Sequence, residues 1–349
     1  DEYTRDQIVE SELSYLSNYQ RVIINSGKIS NKGWEISVSG VPVKVKNFEW
    51  KTIFNWSKNN SMVESLPEGI DKIQIGSGVY NVKSYAEVGK PYGAIYAKTF
   101  KRDAEGYILC QLDGSPKEGQ DYEYLGCVQA DWRGGWNNVF RLGNFSFSVM
   151  FDFQKGGKFF SQTSIQSSVD GQSVKSLEGR DADFFSRKIL GESDEERYGF
   201  MRPQNANTPT ANGQIYPDWG RPKGVVLPNC RYDEDVEGLA GQQVLGYCTP
   251  ERYWMHYTSR DISRFIYDAS YVKLREITVS YDLPKKWLRK TPFQTFRVAA
   301  VGRNIATLFA NTPHGLDPQA TSTTGNAQGF ERGFNLPSAT YGFDIKVSF

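Results

Sequence analysis

Much that would mark an enzyme, a metalloprotein or a helical membrane protein is missing from this 349-residue chain. It has only two histidines, His256 and His314, and four cysteines without a C-x-x-C pair, so a Cys/His zinc site lacks its ligand set and no metal is expected. It contains no G-x-S-x-G, no H-E-x-x-H and no G-x-x-x-x-G-K. The motifs for nucleophilic, metal-hydrolytic and phosphate-cradling chemistry are therefore absent, and neither catalysis nor a cofactor is expected. Charge of one sign is also missing. The 41 Lys and Arg residues nearly balance 40 Asp and Glu, giving +1, so no basic field points to nucleic acid. No apolar run approaches the ~20 residues of a spanning helix. That excludes a helical membrane protein, but not one that crosses with strands, whose hydropathy signal is weak per strand. The chain opens on Asp1 with no initiator Met and no signal peptide, so a processed chain or a fragment is expected.

What the chain does have is aromatic side chains, 14% of all residues, against a polar mean hydropathy of −0.54. They fall into strand-period stripes. In the final segment Tyr341, Phe343, Ile345, Val347 and Phe349 share one face of an extended strand, and Thr340, Gly342, Asp344, Lys346 and Ser348 share the other. Phe145, Phe147, Val149, Phe151 and Phe153 make a second stripe, opposite Ser146, Ser148, Met150, Asp152 and Gln154. Phe48, Trp50, Thr52, Phe54 and Trp56 make a third. Trp34, Ile36 and Val38 begin a fourth, whose parity switches to Val41, Val43 and Val45, so a bulge is expected near Gly40-Val41-Pro42. Apolar on one face and small or polar on the other suits a wall between lipid and a wet lumen. A half-buried strand of a soluble, glycan-binding sandwich would share the pattern.

The connections separate these alternatives. Val45–Phe48 and Arg141–Asn144 are tight turns and Asp282–Pro292 a modest one, whereas residues 66–92, 113–130, 167–265 and 310–337 are long and rich in Gly, Pro, Asn and Ser. If Phe349 ends at the periplasmic side, strands 339–349, 269–282 and 131–142 descend and strands 294–307 and 144–156 ascend. Every tight turn is then periplasmic and every long loop extracellular, as in an outer-membrane barrel. About nine full strands, plus a partial one near Tyr3–Val9, are too few to close a barrel with loops this large. An open edge in lipid costs several kcal/mol per unpaired group. The expected fold class is all-β, an antiparallel transmembrane β-barrel of which residues 1–349 supply only a part.

Several segments then resemble the SusC/RagA-type TonB-dependent outer-membrane transporters. They include Ala269–Pro284 (ASYVKLREITVSYDLP), Val301–Phe309 (VGRNIATLF), Leu316–Ala320 (LDPQA) and Asn25–Glu35 (NSGKISNKGWE). Pro91–Ala97, Asp131–Phe140, Phe153–Gly157 and Gly224–Asn229 add to them, in family order and across nearly the whole chain. The resemblance implies the C-terminal portion of a large plugged barrel of the 22-stranded class, in the outer membrane of a Gram-negative, Bacteroidetes-type bacterium. It further implies import of an oligosaccharide or a peptide. The partners would be a SusD-like lipoprotein lid, TonB acting through upstream segments, the N-terminal remainder of the barrel, and outer-membrane lipid. A secreted adhesin or glycan-binding module and a passive porin stand as alternatives.

Candidate residues follow. Phe145, Phe147, Val149, Phe151, Tyr341, Phe343, Ile345 and Val347 are expected to face lipid, with Trp34, Trp50, Trp56 and Tyr341 in its aromatic girdles. Phe349 is expected to help the assembly machinery recognise the chain. Tyr216, Asp218, Trp219, Tyr253, Trp254 and Tyr257, aromatic rings beside polar groups in the longest loop, are candidates for contact with substrate or lid. The alternative for each is packing within the loop. Residues 179–191 read as a short capped helix. Asp233, Glu234, Asp235 and Glu237 lack the ligand spacing of a calcium loop and read as a solvated acidic cluster. In an oxidising compartment the sequence-local disulfides are Cys230–Cys248 and Cys110–Cys127; four thiols are the alternative.

Overall fold

A computed structural model describes residues 2–5, 8–12, 21–25, 27–177, 225–248, 252–313, 315–320, 328–333 and 338–349. The strands are β1 (Glu2–Arg5), β2 (Ile8–Glu12), β3 (Arg21–Asn25), β4 (Lys28–Val45), β5 (Phe48–Ser65), β6 (Lys72–Ser77), β7 (Lys83–Glu87), β8 (Ala94–Ala97), β9 (Ile108–Cys110) and β10 (Glu123–Cys127). They continue as β11 (Trp132–Leu142), β12 (Phe145–Lys155), β13 (Lys158–Ser161), β14 (Val225–Tyr232), β15 (Gln243–Cys248), β16 (Ile266–Asp268), β17 (Tyr271–Asp282), β18 (Thr295–Ala310), β19 (Phe330–Glu331) and β20 (Thr340–Ser348). One two-turn helix, α1 (Gln162–Val169), follows β13.

Eight strands build a single sheet in the order β1-β4-β5-β11-β12-β17-β18-β20. Its long strands are those expected from the stripes, and among the described residues it holds eight strands. The other strand-period segments fold elsewhere. Residues directly opposite in antiparallel strands share a face, and the registers align the stripes. Tyr341, Phe343 and Ile345 lie opposite Gly302, Ala300 and Val298. Val298, Ala300 and Gly302 lie opposite Tyr281, Val279 and Ile277, which continue to Phe145, Phe147 and Val149. Trp136 and Phe140 of β11 face Phe151 and Phe147, then Phe54 and Trp50, then Val38 and Val43. A largely apolar face results, with Thr52 and Asn138 among its few polar members. The register shift between Gly40 and Val43 inserts one extra residue in β4. The expected bulge is therefore present, and it returns Val43 and Val45 to the face held by Trp34, Ile36 and Val38.

All the tight turns lie on one rim, and hydrogen bonds link them. Gly143 N donates to Asn47 O at 2.8 Å and Asp282 N to Asn144 O at 2.9 Å. Asn144 Nδ2 donates to Asp282 O at 2.6 Å, and Gln294 N to Ser348 O at 2.8 Å. Arg297 closes the β17–β18 connection with a two-pronged ion pair to Asp282, at 2.7 and 2.9 Å.

At the opposite rim lie small sheets, β10-β8-β7-β6, β16-β13-β19 and β15-β14-β9, built partly from segments expected as long loops. Two buried clusters hold them. One gathers Phe100, Ile108, Cys110, Val225, Leu227, Cys230, Cys248, Tyr253, Trp254 and Tyr257; the other centres on Val82, Ile95, Phe160, Ile165, Phe265 and Phe330. The chain leaves the wall for this outer end through Gly156 and Gly157, at φ +73° and +82°. A Cβ on Gly156 would lie 2.4 Å from the Asp131 carboxylate, so only glycine fits this exit.

Candidate functional site

The face of the wall opposite the aromatic stripes is polar. Around Gly135, which leaves a hollow, Glu35, Ser37, Asn55, Ser57, Arg133 and Asp152 line a cavity of about 560 Å³. Ser37 Oγ donates to Asn55 Oδ1 at 2.7 Å, and Arg133 Nε to Gln154 Oε1 at 3.1 Å.

Beside the cavity β17 carries an irregularity that sequence reasoning missed. Met150 pairs with Glu276 and Phe151 with Leu274, so Arg275 is an extra residue in the ladder. Its guanidinium donates to Asp152 Oδ2 from Nε at 3.1 Å, pairs with the same carboxylate through Nη2, and reaches Gln319 Oε1 at 2.7 Å. Next to it Lys273 has a side chain only 1% exposed. Its ammonium donates to both Asp317 oxygens at 2.5 Å and to Gln319 Oε1 at 3.0 Å. Gln319 Nε2 in turn donates to Tyr271 Oη at 2.5 Å. The segment 315–320 is thus latched to the inner wall by charge-assisted hydrogen bonds, which shorten and strengthen in a site sheltered from water. One signal was visible in advance: a lysine and an arginine in an otherwise alternating strand, and an acidic residue in the Leu316–Ala320 segment.

On the apolar face Trp50, Thr52, Trp136 and Asn138 pair their polar atoms with one another. Trp50 Nε1 and Thr52 Oγ1 donate to Asn138 Oδ1 at 3.1 and 3.0 Å, and Trp136 Nε1 donates to Thr52 Oγ1 at 2.9 Å. Asn138 is buried beneath these rings. Such pairing is what a face turned to hydrocarbon requires of any donor or acceptor.

The expected contact residues are distributed differently. Tyr216, Asp218 and Trp219, and the expected helix 179–191, lie outside the described residues. Tyr253, Trp254 and Tyr257 are 0%, 2% and 3% exposed. A π-helical turn, Tyr253–Tyr257, aims all three rings into the outer-end core, where Tyr253 and Trp254 meet edge to face at 5.1 Å. No ring face is left open for a ligand, so these three pack the loop against itself. Met255 and His256, on the outer side of the same turn, are exposed.

In the acidic cluster Asp233 is buried and tied down, whereas Glu234, Asp235 and Glu237 are exposed as expected. Asp233, 3% exposed, accepts from Lys101 Nζ at 3.0 and 2.8 Å and from Lys117 Nζ at 2.8 Å, and Lys117 also pairs with Asp235. Burial raises the Asp233 carboxyl, but the two ammonium groups and the Glu234 amide outweigh it and hold it down at about 2. Among the described residues no group of carboxylates, histidines and thiols is arranged to hold a metal. Neither expected disulfide is formed. Cys127 lies on β10, where its thiol donates to Tyr92 O at 3.4 Å, away from the other three cysteines.

No protein-family model matches the chain. In sequence it is 23% identical over 360 residues to TonB-dependent receptor P3 of Formosa agariphila, an alignment covering 97% of this chain and 30% of the relative. TonB-dependent receptor P26 of the same organism is 25% identical over 177 residues, 45% of this chain and 18% of that protein. The chain superposes on the RagAB peptide transporter with a TM-score of 0.59 at 15% identity, covering 99% of this chain and 32% of that one. On the RagAB peptide importer in its open-open state the TM-score is 0.57 at 16% identity, with the same coverage. At such identities the solved structures speak for the fold alone. The chain spans about 30% of the length of the first of these receptors. These relatives are receptors and transporters, not enzymes. The chain thus resembles TonB-dependent receptors in sequence along nearly its whole length and shares its fold with a stretch of the RagAB transporter.

Proposed function

We propose that this chain is the C-terminal portion of an outer-membrane importer, energised through TonB, that takes up a peptide or an oligosaccharide. The observation that carries it is the two-faced sheet. Tyr341, Phe343, Ile345, Val347 and Phe145, Phe147, Val149, Phe151 line one largely apolar face, suited to lipid. The other face holds the Glu35–Arg133–Asp152 hollow and the Arg275 and Lys273 ion pairs, suited to a wet lumen. The sheet also has two edges, β1 and β20. Unpaired edges are untenable in hydrocarbon, so further strands of the same barrel would complete the wall.

Partners follow from the same reading. A SusD-like lipoprotein would cover the outer end, where the small sheets offer a folded docking platform. TonB would act on a segment upstream of this chain. The host would be a Gram-negative bacterium of Bacteroidetes type. Phe349, exposed beside Phe293 at the tight-turn rim, would be read during assembly.

Uptake tests the proposal. Cells carrying the intact gene should accumulate a labelled peptide or oligosaccharide pool, and cells lacking the gene, or lacking TonB, should not. Uptake that survives loss of TonB would identify a passive pore. Depletion of peptides or of sugars from a mixed pool names the substrate class.

A further inference from the structure

Near the loop rim the apolar face of the wall changes chemistry. Trp34 of β4 lies opposite Lys58 of β5, and Trp132 of β11 lies opposite Lys155 of β12. The β5–β11 ladder opens at Ser57 and Arg133, which brings Lys58 and Trp132 side by side. Two residues nearer the tight turns the same face holds Ile36, Trp56, Gly134 and Phe153. Apolar side chains thus give way to Trp and Lys within one step on four neighbouring strands. Phe48 to Lys58 and Phe145 to Lys155 are each ten residues. At about 3.3 Å per residue and a tilt of about 40°, ten residues span roughly 25 Å of depth, the height of an outer-membrane apolar band. Both ammonium groups therefore sit where hydrocarbon ends and headgroups begin. Both lysines are exposed, and neither pairs with a carboxylate among the described residues. Trp34 is 73% exposed. Further toward the loops, on the same face, Ser30, Lys32, Asn60, Met62 and Glu64 line a hollow of about 410 Å³. Glu64 is ion-paired with Lys28 at 2.5 Å, so the charge of Lys58 beside the hollow is left over.

We propose that this loop-side end of the apolar face binds a phosphorylated glycolipid of the outer leaflet. Its acyl chains lie along Ile36 and Trp56, its phosphate meets Lys58 and Lys155, and its sugar stacks on Trp34 and enters the hollow. Charge complementarity selects the phosphate, because an ammonium held at headgroup level attracts anionic lipid. The hollow selects a sugar over a choline or glycerol headgroup. Ser30, Asn60 and Lys32 offer it a hydroxyl, an amide and an ammonium, the donors and acceptors that sugar hydroxyls need. The open Trp34 ring offers the apolar surface that suits a sugar face. The ligand is a lipid and not the imported solute, because the lumen lies on the other side of the wall. The site rests on the proposed reading of this face as lipid-facing.

The test reconstitutes the intact protein in phosphatidylcholine vesicles that carry lipid A (a phosphorylated glucosamine disaccharide lipid), its dephosphorylated form, or phosphatidylglycerol. Native mass spectrometry after detergent extraction counts the lipid that stays bound. Lipid A should be retained above both of the others. Lys58→Gln and Lys155→Gln should each lower its retention about fivefold. Lys51→Gln, on the opposite face of β5, where it pairs with Val139, should leave it unchanged. Phosphatidylglycerol or dephosphorylated lipid A held as well as lipid A would overturn the proposal, and so would unchanged retention in the Lys58→Gln/Lys155→Gln double variant. Quenching of tryptophan fluorescence by chain-brominated phosphatidylcholine reports the lipid contact itself in the same vesicles. Absence of quenching removes the lipid-face reading and the site with it, whereas quenching without a preference for lipid A removes the site alone.

Discussion

Replacing Asp317 by Asn should release the 315–320 segment from the wall. The Lys273 ammonium has 1% of its side chain exposed and lies 2.5 Å from both Asp317 oxygens and 3.0 Å from Gln319 Oε1. Without the carboxylate a sheltered cation keeps only neutral partners. Breaking a buried ion pair costs about 3–5 kcal/mol. The new Asn carbonyl retains a charge-assisted hydrogen bond, which recovers about 1–2 kcal/mol. The net cost is then about 2–3 kcal/mol, or roughly 30- to 150-fold in the opening equilibrium. Limited proteolysis of the intact protein in detergent reads this directly, because cleavage within 315–320 tracks the open population when reclosing is fast. The double variant Lys273→Met/Asp317→Leu supplies the control. Well-packed apolar replacements of a buried pair are often neutral or stabilising, so its cleavage should return close to the wild-type rate. Cleavage of Asp317→Asn within about threefold of wild type, or a double variant as labile as the single one, would refute the latch.

Other expectations concern the two faces and the outer end. Phe147→Arg and Phe151→Arg should each cost about 2–4 kcal/mol of folding into bilayers if these positions lie at mid-membrane, and Ser148→Arg much less; equal tolerance at all three positions in a liposome refolding titration would undo the face assignment. Deleting Phe349 should reduce the protein recovered as assembled barrel from outer membranes, and undiminished recovery would remove its assembly role. Asp233, held at about 2 against an ordinary value near 3.8, contributes stability that is complete above about pH 4 and is lost as pH falls through 2. Protease resistance of the outer end should therefore decline over that interval by about 2 kcal/mol, whereas Asp233→Asn should be weaker at pH 7 and flat below it. Matching acid profiles would show that the lysine pairs are not what lowers the carboxyl.

The wall was legible in the sequence because its strands are long and its side-chain period is two. Residues 144–156, 269–282 and 294–307 read as strands, and β12, β17 and β18 occupy Phe145–Lys155, Tyr271–Asp282 and Thr295–Ala310. A slip of one residue would turn Phe145, Phe147 and Phe151 to the wrong face, so pattern fixes register. The parity switch after Val38 likewise announced the Gly40–Val43 bulge. The outer end was not legible, for a matching reason. Its β9 is three residues long and pairs in parallel with β14, more than a hundred residues later. No local periodicity specifies such a partner. For Tyr253, Trp254 and Tyr257 ligand contact and packing within the loop both stood open, because composition alone does not say which way a ring points. The π-helical turn at Tyr253–Tyr257 turns them inward. Arg275 escaped notice because a one-residue insertion in the β12–β17 ladder is defined by pairing across strands, not by either strand alone.

The central claim is that one face of this wall meets lipid and the other meets water. Site-directed spin labels placed singly at positions 341 to 348 of the intact protein in liposomes test it most directly. Accessibility to oxygen should peak at 341, 343, 345 and 347, and accessibility to a water-soluble nickel chelate should peak at 342, 344, 346 and 348. Alternation of period two with the two reagents out of phase is the predicted result. Nickel access at every position, or oxygen and nickel profiles in phase, would contradict it.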